Sequence, residues 1–531
     1  MAYHPRSMPF TPAPHVTQNW QLAKPVASSK RGMVVSQAKS AAEAGVAILD
    51  AGGNAFDAAV ATALALATVE PWNSGLGGIG HAVVHRAGTA RAETIDFGPT
   101  APAGLDPSRF RLTGRIASDL FAWPQVEGDT NIHGPLSFVV PSAVAGYAEL
   151  HSRWGKLPLG EIAAPAIALA RRGLPQDWYT TLKIANSAAI LRKYPESARI
   201  YLRDGLPPLA PYQGSLSYFP LGNLADTLTR LQHAGWRDFY EGEIGAQIVA
   251  DVKAMGGVLS ADDLRACRAR VAPATEMPWR GRTLQLAGAL TAAPTAIDVL
   301  RRMADARFGN EPDAAWYVAL ARALKAAYAQ RLTSLGDAEP QAAESCTSHI
   351  TAADAEGTMV AVTTTLLSSM GSRVVLPTTG ILMNNGVMWF DPSPGQPNSI
   401  GPGKRPLTNM FPVILRDGGK PFIAAGASGG RRIMAATLQL MCFVADFGMP
   451  PERAAHQPRI DVSGPDKVTA DRRLAPDILR ALQDDGPTEI VEHGVLPLNF
   501  ACPNLILDDG AGARTGVSDA ASPWSAAVAQ E

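Results

Sequence analysis

From Ser36 to Val69 the chain reads SQAKSAAEAGVAILDAGGNAFDAAVATALALATV, with apolar residues returning at helical spacing. Gly52-Gly53-Asn54 interrupts the run and predicts two helices. The second, Ala55 to Val69, is apolar nearly all round and is expected to be buried. Ala and Gly dominate the facing positions, which suits close helix-on-helix contact. The next stretch, EPWNSGLGGIG from Glu70 to Gly80, is glycine-rich and precedes a short strand, HAVVH. A nucleotide loop precedes a helix and carries Lys-Ser/Thr, so packing or a tight turn is the better reading of these glycines.

Through roughly 140–335 the pattern is mostly helical, as in SAVAGYAELHSRWG, GEIAAPAIALARRG and AAWYVALARALKAAYAQRL. From about residue 347 it changes to short β-branched or alternating runs. HITAAD, MVAVTTTLL, RVVLP, GILMNN, FPVIL and PFIAAG are each predicted as strands. Two more helices are predicted near 431–447 and 474–485, and residues 1–30 read as an irregular arm. Runs of helix followed by runs of strand favour α+β over a parallel βαβ sheet.

A chain of 531 residues exceeds one ordinary core, so two lobes or one large composite domain is expected. Hydrophobic content of 46% with 18% charged residues is that of a packed globular enzyme. Lys and Arg number 47 against 48 Asp and Glu, for a net charge of −1. That balance offers no field to recruit nucleic acid or an anionic membrane, and neither is expected as a partner. Met1 to Pro25 holds five prolines and no apolar run of signal-peptide length, so no leader is expected. Cys267, Cys346, Cys442 and Cys502 have no metal-like spacing, which argues against a zinc site and a disulfide framework. A cytoplasmic location follows as the expectation.

Candidate chemistry sits at the switch from helix to strand, in ESCTSHITAAD. A threonine hydroxyl is a poor nucleophile without an adjacent base. If the Cys346–Thr347 bond is cut, the new α-amino group of Thr347 has a reference pKa of roughly 7.7–8.0 and can serve as that base. Cleavage itself would be attack by the Thr347 hydroxyl on the Cys346 carbonyl, favoured if that peptide is held strained.

This stretch resembles the processing site of γ-glutamyltranspeptidases, with Thr347-Ser348-His349 at the start of the small subunit and VAVTTTL as the following strand. Three more motifs follow in the family's order: GILMNN (380–385), PGKRPLTNM (402–410) and GASGG (426–430). Upstream, GGNAFDAAVATALALATVEPWNSGLGG resembles the large-subunit signature. The resemblance covers roughly 32–460. It implies a four-layer αββα sandwich of the N-terminal-nucleophile type, with two antiparallel sheets between helices and no metal or organic cofactor. It also implies a large fragment 1–346 and a small catalytic fragment 347–531 that stay paired. Thr365 would orient the nucleophile, and the backbone N–H groups of Gly429 and Gly430 would hold the oxyanion, a contribution of about 3 kcal/mol per donor. His349 is expected either to aid processing or to anchor its strand.

The pocket departs from the family. Its carboxylate-binding arginine falls on Gly98, its asparagine after the second threonine on Leu367, and its Gln…Asp pair on Gly386 and Trp389. The serine pair falls on Thr408 and Asn409. Losing the Arg–carboxylate and Asp–ammonium contacts removes several kcal/mol of specific binding, so an ordinary γ-glutamyl donor such as glutathione is not the expected substrate. The expected substrate is a small-molecule amide or peptide whose acyl group lacks an α-amino function and carries one carboxylate or a compact apolar body. Arg373 is a candidate carboxylate receptor, Asn385 a further substrate contact, and Trp389 with Met388 an apolar wall.

Beside an authentic γ-glutamyltransferase or glutathione hydrolase, two other readings compete. GASGG also fits a G-x-S-x-G nucleophile elbow, with Ser428 followed in order by Asp471 and His493. The second is a relative that never processes and serves as a binding scaffold.

Overall fold

The computed structural model describes residues 22–117, 123–335, 345–463, 466–495 and 498–531. Residues 1–21 of the expected arm lie outside this set. The predicted helix pair is present as α1 (Lys39–Asp50) and α2 (Ala55–Val69). Asn54 starts α2 with a reciprocal cap: its side chain accepts from the backbone of Phe56 and Asp57, while Asp57 accepts from the Asn54 N–H. Every residue of α2 is buried.

The two large sheets take their strands from both ends of the chain. Early strands are β1 (Ala27–Ser29), β2 (Met33–Ser36), β3 (Ile79–His85) and β4 (Glu93–Phe97). The middle supplies β5 (Arg270–Pro273), β6 (Thr275–Trp279) and β7 (Arg282–Leu286). Then come β8 (Ser345–Ala353), β9 (Met359–Ser368), β10 (Val413–Asp417) and β11 (Lys420–Ser428). The last are β12 (Cys502–Asp508), β13 (Arg514–Ser518) and β14 (Ala526–Ala529). One sheet has the order β14-β2-β8-β9-β3-β4-β5 and the other β1-β13-β12-β11-β10-β7-β6, antiparallel throughout.

The sheets pack face to face, with β8 and β9 over β11. Met33, Val83, Ala361, Ile414, Ala424 and Ile506 fill the apolar layer between them. The outer face of the first sheet is covered by α1, α2 and α3 (Ala143–Trp154). The second is covered by α4 (Ala293–Met303), α5 (Ala314–Leu335) and α6 (Ile433–Ala445). The result is the four-layer αββα sandwich expected of this α+β chain. Each sheet draws strands from both sides of residue 346, so neither sheet is complete without both parts.

Three expectations need correction. The mostly helical stretch 140–335 contains the strands β5 to β7. RVVLP and GILMNN are not strands: they meet through isolated bridges, Val375 with Leu382 and Gly77 with Met383, inside a buried loop. The described end of the arm is not wholly irregular, since β1 pairs with β13. Among the described residues no helix is long and apolar enough to cross a membrane.

Candidate active site

Thr347 sits at a bulge in β8. The ladder with β9 pairs Cys346 with Leu367 and then resumes at Ser348 with Thr364. That places Thr347 out of the ladder and beside Thr365. Its Oγ1 donates to Thr365 Oγ1 at 3.3 Å, and Thr365 Oγ1 also accepts from the Leu367 N–H at 2.8 Å. Thr347 is only 4% exposed and Thr365 is fully buried.

Alternation along VTTT divides the neighbouring hydroxyls between the two faces of the sheet. Thr363 and Thr365 point to the inter-sheet side with His349 and Thr347. Thr364 points to the helices, where it meets the Tyr147 hydroxyl at 2.8 Å. Ser348 shares that outer side, donating to Glu70 Oε2 at 3.0 Å and accepting from Ser74 Oγ at 2.9 Å. Burial pushes the Glu70 carboxyl up to about 7, against the pull of its hydrogen bonds with Ser348 and Asn73. The same segment braces the loop after β9: Asn73 O accepts from Leu366 N, and Trp72 O from Met370 N, each at 2.9 Å. Sequence reading missed Glu70 in this role; the signal was a carboxylate at the foot of a buried, largely apolar helix.

His349 is a buried, neutral strand residue. Its Nδ1 lies 2.8 Å from Thr363 Oγ1, its backbone N–H donates to Gln37 Oε1 at 2.6 Å, and burial pushes its imidazole down to about 3. The ring lies flat against Gly426, where a Cβ would come within 2.1 Å of it. This contact fixes the end of β11 against β8, and the turn Gly430–Arg432 that follows β11 packs on β8. Gly429 has φ +140° and Gly430 φ +58°. A Cβ on Gly429 would lie 2.7 Å from the Ala501 Cα, so position 429 is restricted to glycine twice over.

The loop after Thr365 carries three non-glycine residues at positive φ within seven positions: Leu367 (+88°), Met370 (+60°) and Arg373 (+61°). Such conformations cost about 1–3 kcal/mol each and gather at functional sites. Arg373 Nη1 donates to Ser368 Oγ at 2.8 Å and to Gly371 O at 2.7 Å, and Asn385 Nδ2 donates to the same Ser368 Oγ at 2.7 Å. Both candidates thus hold the loop. Leu367, Met388 and Trp389 join one apolar cluster with Ile79, Val139 and Met410. Thr408 and Asn409 are gripped from behind by the buried Arg331, which donates to Thr408 O and Asn409 Oδ1, each at 3.0 Å. Arg331 was not singled out in the sequence because it lies on an ordinary-looking helix.

The nucleophile-elbow arrangement is not assembled. Ser428 ends β11 opposite Cys502, and both ring nitrogens of His493 are buried with no hydrogen-bond partner among the described residues. Asp471 pairs with Arg473 instead.

The sequence pattern of the Gamma-glutamyltranspeptidase family matches residues 41–346 and 338–519. The chain belongs to the γ-glutamyltranspeptidase family. It is 28% identical over 514 residues to the Glutathione hydrolase proenzyme of Escherichia coli K12, covering 86% of both chains. It is 30% identical over 497 residues to the Acylase ACY 1 proenzyme of Pseudomonas sp. strain SE83, covering 85% of this chain and 86% of that one. The crystal structure of cephalosporin acylase from Bacillus halodurans superposes with a TM-score of 0.82 over 99% of both chains, at 24% identity. That likeness concerns the fold. As a γ-glutamyltranspeptidase-family member the chain is an N-terminal-nucleophile enzyme of the amidohydrolase and acyltransferase class.

Proposed function

We propose that this enzyme cuts itself at Cys346–Thr347 and then hydrolyses or transfers an acyl group through Thr347. The observation that carries the reading is the Thr347–Thr365 hydroxyl contact at a strand bulge, beside the glycine turn at 429–430. In self-cleavage the Thr347 oxygen bonds to the Cys346 carbonyl carbon, the C–N bond breaks, and the hydroxyl proton ends on the freed amine. Water then hydrolyses the ester. In turnover the α-amine takes the Thr347 proton, the oxygen attacks the substrate amide, and the amine returns a proton to the leaving nitrogen. Gly429 and Gly430 N–H groups would receive the oxyanion. Fragments 1–346 and 347–531 would stay together because both sheets interleave them. The proenzyme names of its relatives support the same order of events.

The acyl group is proposed to lack an α-amino function. Gly98, Leu367, Gly386 and Trp389 offer no charged side chain to a γ-glutamyl head group, and Leu367 and Trp389 are built into an apolar wall. A cytoplasmic, reducing location is proposed on the free thiols of Cys267, Cys442 and Cys502.

Intact-mass spectrometry of wild type beside Thr347→Ala tests the reading. Two wild-type fragments meeting at 346/347, with one uncut mutant chain, are the expected result. A single uncut chain in both would overturn it.

A further inference from the structure

Residues 70–74 grip the chain neighbour of each threonine in the proposed reacting pair. Next to Thr347, Ser348 donates to Glu70 Oε2 at 3.0 Å and accepts from Ser74 Oγ at 2.9 Å. Next to Thr365, Leu366 donates its backbone N–H to Asn73 O at 2.9 Å. The Asn73 side chain also bonds the Glu70 carboxyl, so the two grips meet at one group. None of these five residues is more than 5% exposed.

Glu70 stands where a negative charge is poorly received. It caps the C-terminal end of α2, the negative end of a helix buried along its whole length. Lys183, from the helix Trp178–Ala185, is the charged side chain acting on it, and it offsets only part of the cost of burial. From β9 and α3 the same side presents the hydroxyls of Thr364 and Tyr147, and burial raises the Tyr147 phenol so that it stays neutral. A neutral Glu70 accepts the Ser348 hydroxyl without placing a charge there. Ionised, it carries a buried charge that Ser348 and Asn73 cannot neutralise.

The register connects this grip to bond cleavage. The ladder with β9 is joined at Cys346 and rejoined at Ser348, so Thr347 lies between two anchors. Attack by Thr347 Oγ1 on the Cys346 carbonyl closes a small ring through the Thr347 N, Cα and Cβ atoms. The 346–347 peptide must turn to allow it, and the turn is productive only while the Ser348 anchor stays fixed. A displacement of about 1 Å at a reacting centre costs on the order of 100-fold in rate.

We propose that Glu70 is a positioning residue for self-cleavage, acting through Ser348 to hold the strand on the far side of the Cys346–Thr347 bond. The hold is firm while the carboxyl is neutral and slackens when it ionises, so the ionised form cleaves more slowly. This deepens the Thr347 reading and rests on it.

The test follows full-length precursor, made by cell-free translation and moved into buffers at pH 6 and pH 8.5. Fragment mass against time gives the rate of self-cleavage. Glu70→Gln keeps an acceptor for Ser348 and cannot ionise. Wild type and this variant should cleave within about twofold of each other at pH 6, and wild type should be slower by about fivefold or more at pH 8.5. Ser348→Ala removes the link. It should lag wild type by about fivefold or more at pH 6 and lose most of that gap at pH 8.5. A ratio of wild type to Glu70→Gln that does not fall between pH 6 and pH 8.5 overturns the proposal, because Glu70 would then serve structure alone. Ser348→Ala cleaving as fast as wild type at pH 6 overturns it equally, and decides the matter alone if Glu70→Gln does not melt cooperatively. A wild-type chain left uncut at both pH values would instead sink the Thr347 reading, and this role with it.

Discussion

The hydroxyl of Thr347 donates to the hydroxyl of Thr365 across two neighbouring strands, at 3.3 Å, where a bulge lifts Thr347 out of the ladder. The proposed nucleophile is therefore oriented by the sheet rather than by a loop. The same Thr365 oxygen takes the N–H of Leu367, a residue at φ +88°, so one atom ties the reacting group to the strained loop that follows it.

Thr365→Val removes that oxygen while keeping the shape of the side chain. It leaves the Leu367 N–H without its acceptor and the Thr347 hydroxyl unguided. Turnover and self-cleavage should both slow by roughly 10- to 100-fold, the scale of one misplaced hydrogen bond at a reacting centre. Thr365→Ser should recover most of the rate. Fragment mass against time after synthesis, and initial rates on any turned-over amide, provide the check.

Gly429→Ala meets two obstacles. The backbone stands at φ +140°, and the added methyl would press on the Ala501 Cα at 2.7 Å. The turn that aims the 429 and 430 N–H groups must shift, and loss of one oxyanion donor costs about 3 kcal/mol of barrier. A fall in kcat of two orders of magnitude or more, with KM little changed, is expected from steady-state kinetics. A loss expressed only as a raised KM, with kcat unchanged, would show that these amides do not face the reacting carbonyl.

Glu70→Gln isolates one titration. The carboxyl has its pKa raised from 4.5 to about 7 in the fold, so the folded state holds its proton where the unfolded chain has lost it. The sign follows: this group costs stability as pH rises from about 4.5 to 7, by up to roughly 3 kcal/mol once it is ionised. Wild type and Glu70→Gln should melt alike near pH 5, and the variant should be the more stable at pH 8. Urea unfolding at both values decides it. Equal stability at pH 8 would mean that Glu70 is not held neutral behind Ser348.

Much of this was readable in the chain, for reasons that differ by element. α1 and α2 announced themselves through period, a glycine break and Asn54 at the cap. The closeness of Thr347 to Thr365 and the tight turn at Gly429-Gly430 were legible through the short motifs that carry them. The hairpin of β6 and β7 was missed because Pro273, Glu276 and Pro278 break the strand pattern. Its turn, Arg280-Gly281 at φ +47° and +83°, was the available signal. RVVLP and GILMNN misled in the opposite direction. Their β-branched residues are buried, but Gly371, Arg373 and Gly380 at positive φ fold them into a loop. The Glu70–Ser348 contact joins residues 278 positions apart and could not be read locally.

His349 and Gly426 provide the test of what holds the two sheets in catalytic register. The imidazole stacks where glycine leaves room, 2.1–2.6 Å from an imagined Cβ, and no neighbouring backbone can retreat without opening the layer between β8 and β11. Gly426→Ala should therefore destabilise the protein by about 1–3 kcal/mol through overpacking. Because β11 ends two residues later at the glycine turn, the shift should also slow processing more than a surface change of equal thermodynamic cost. His349→Ala in the same chain makes space for the new methyl. The double variant should regain part of the stability lost by Gly426→Ala, measured as a coupling energy in a double-mutant cycle by urea unfolding. Strict additivity of the two losses would show that the ring and the glycine do not share the space, and that the register is set elsewhere.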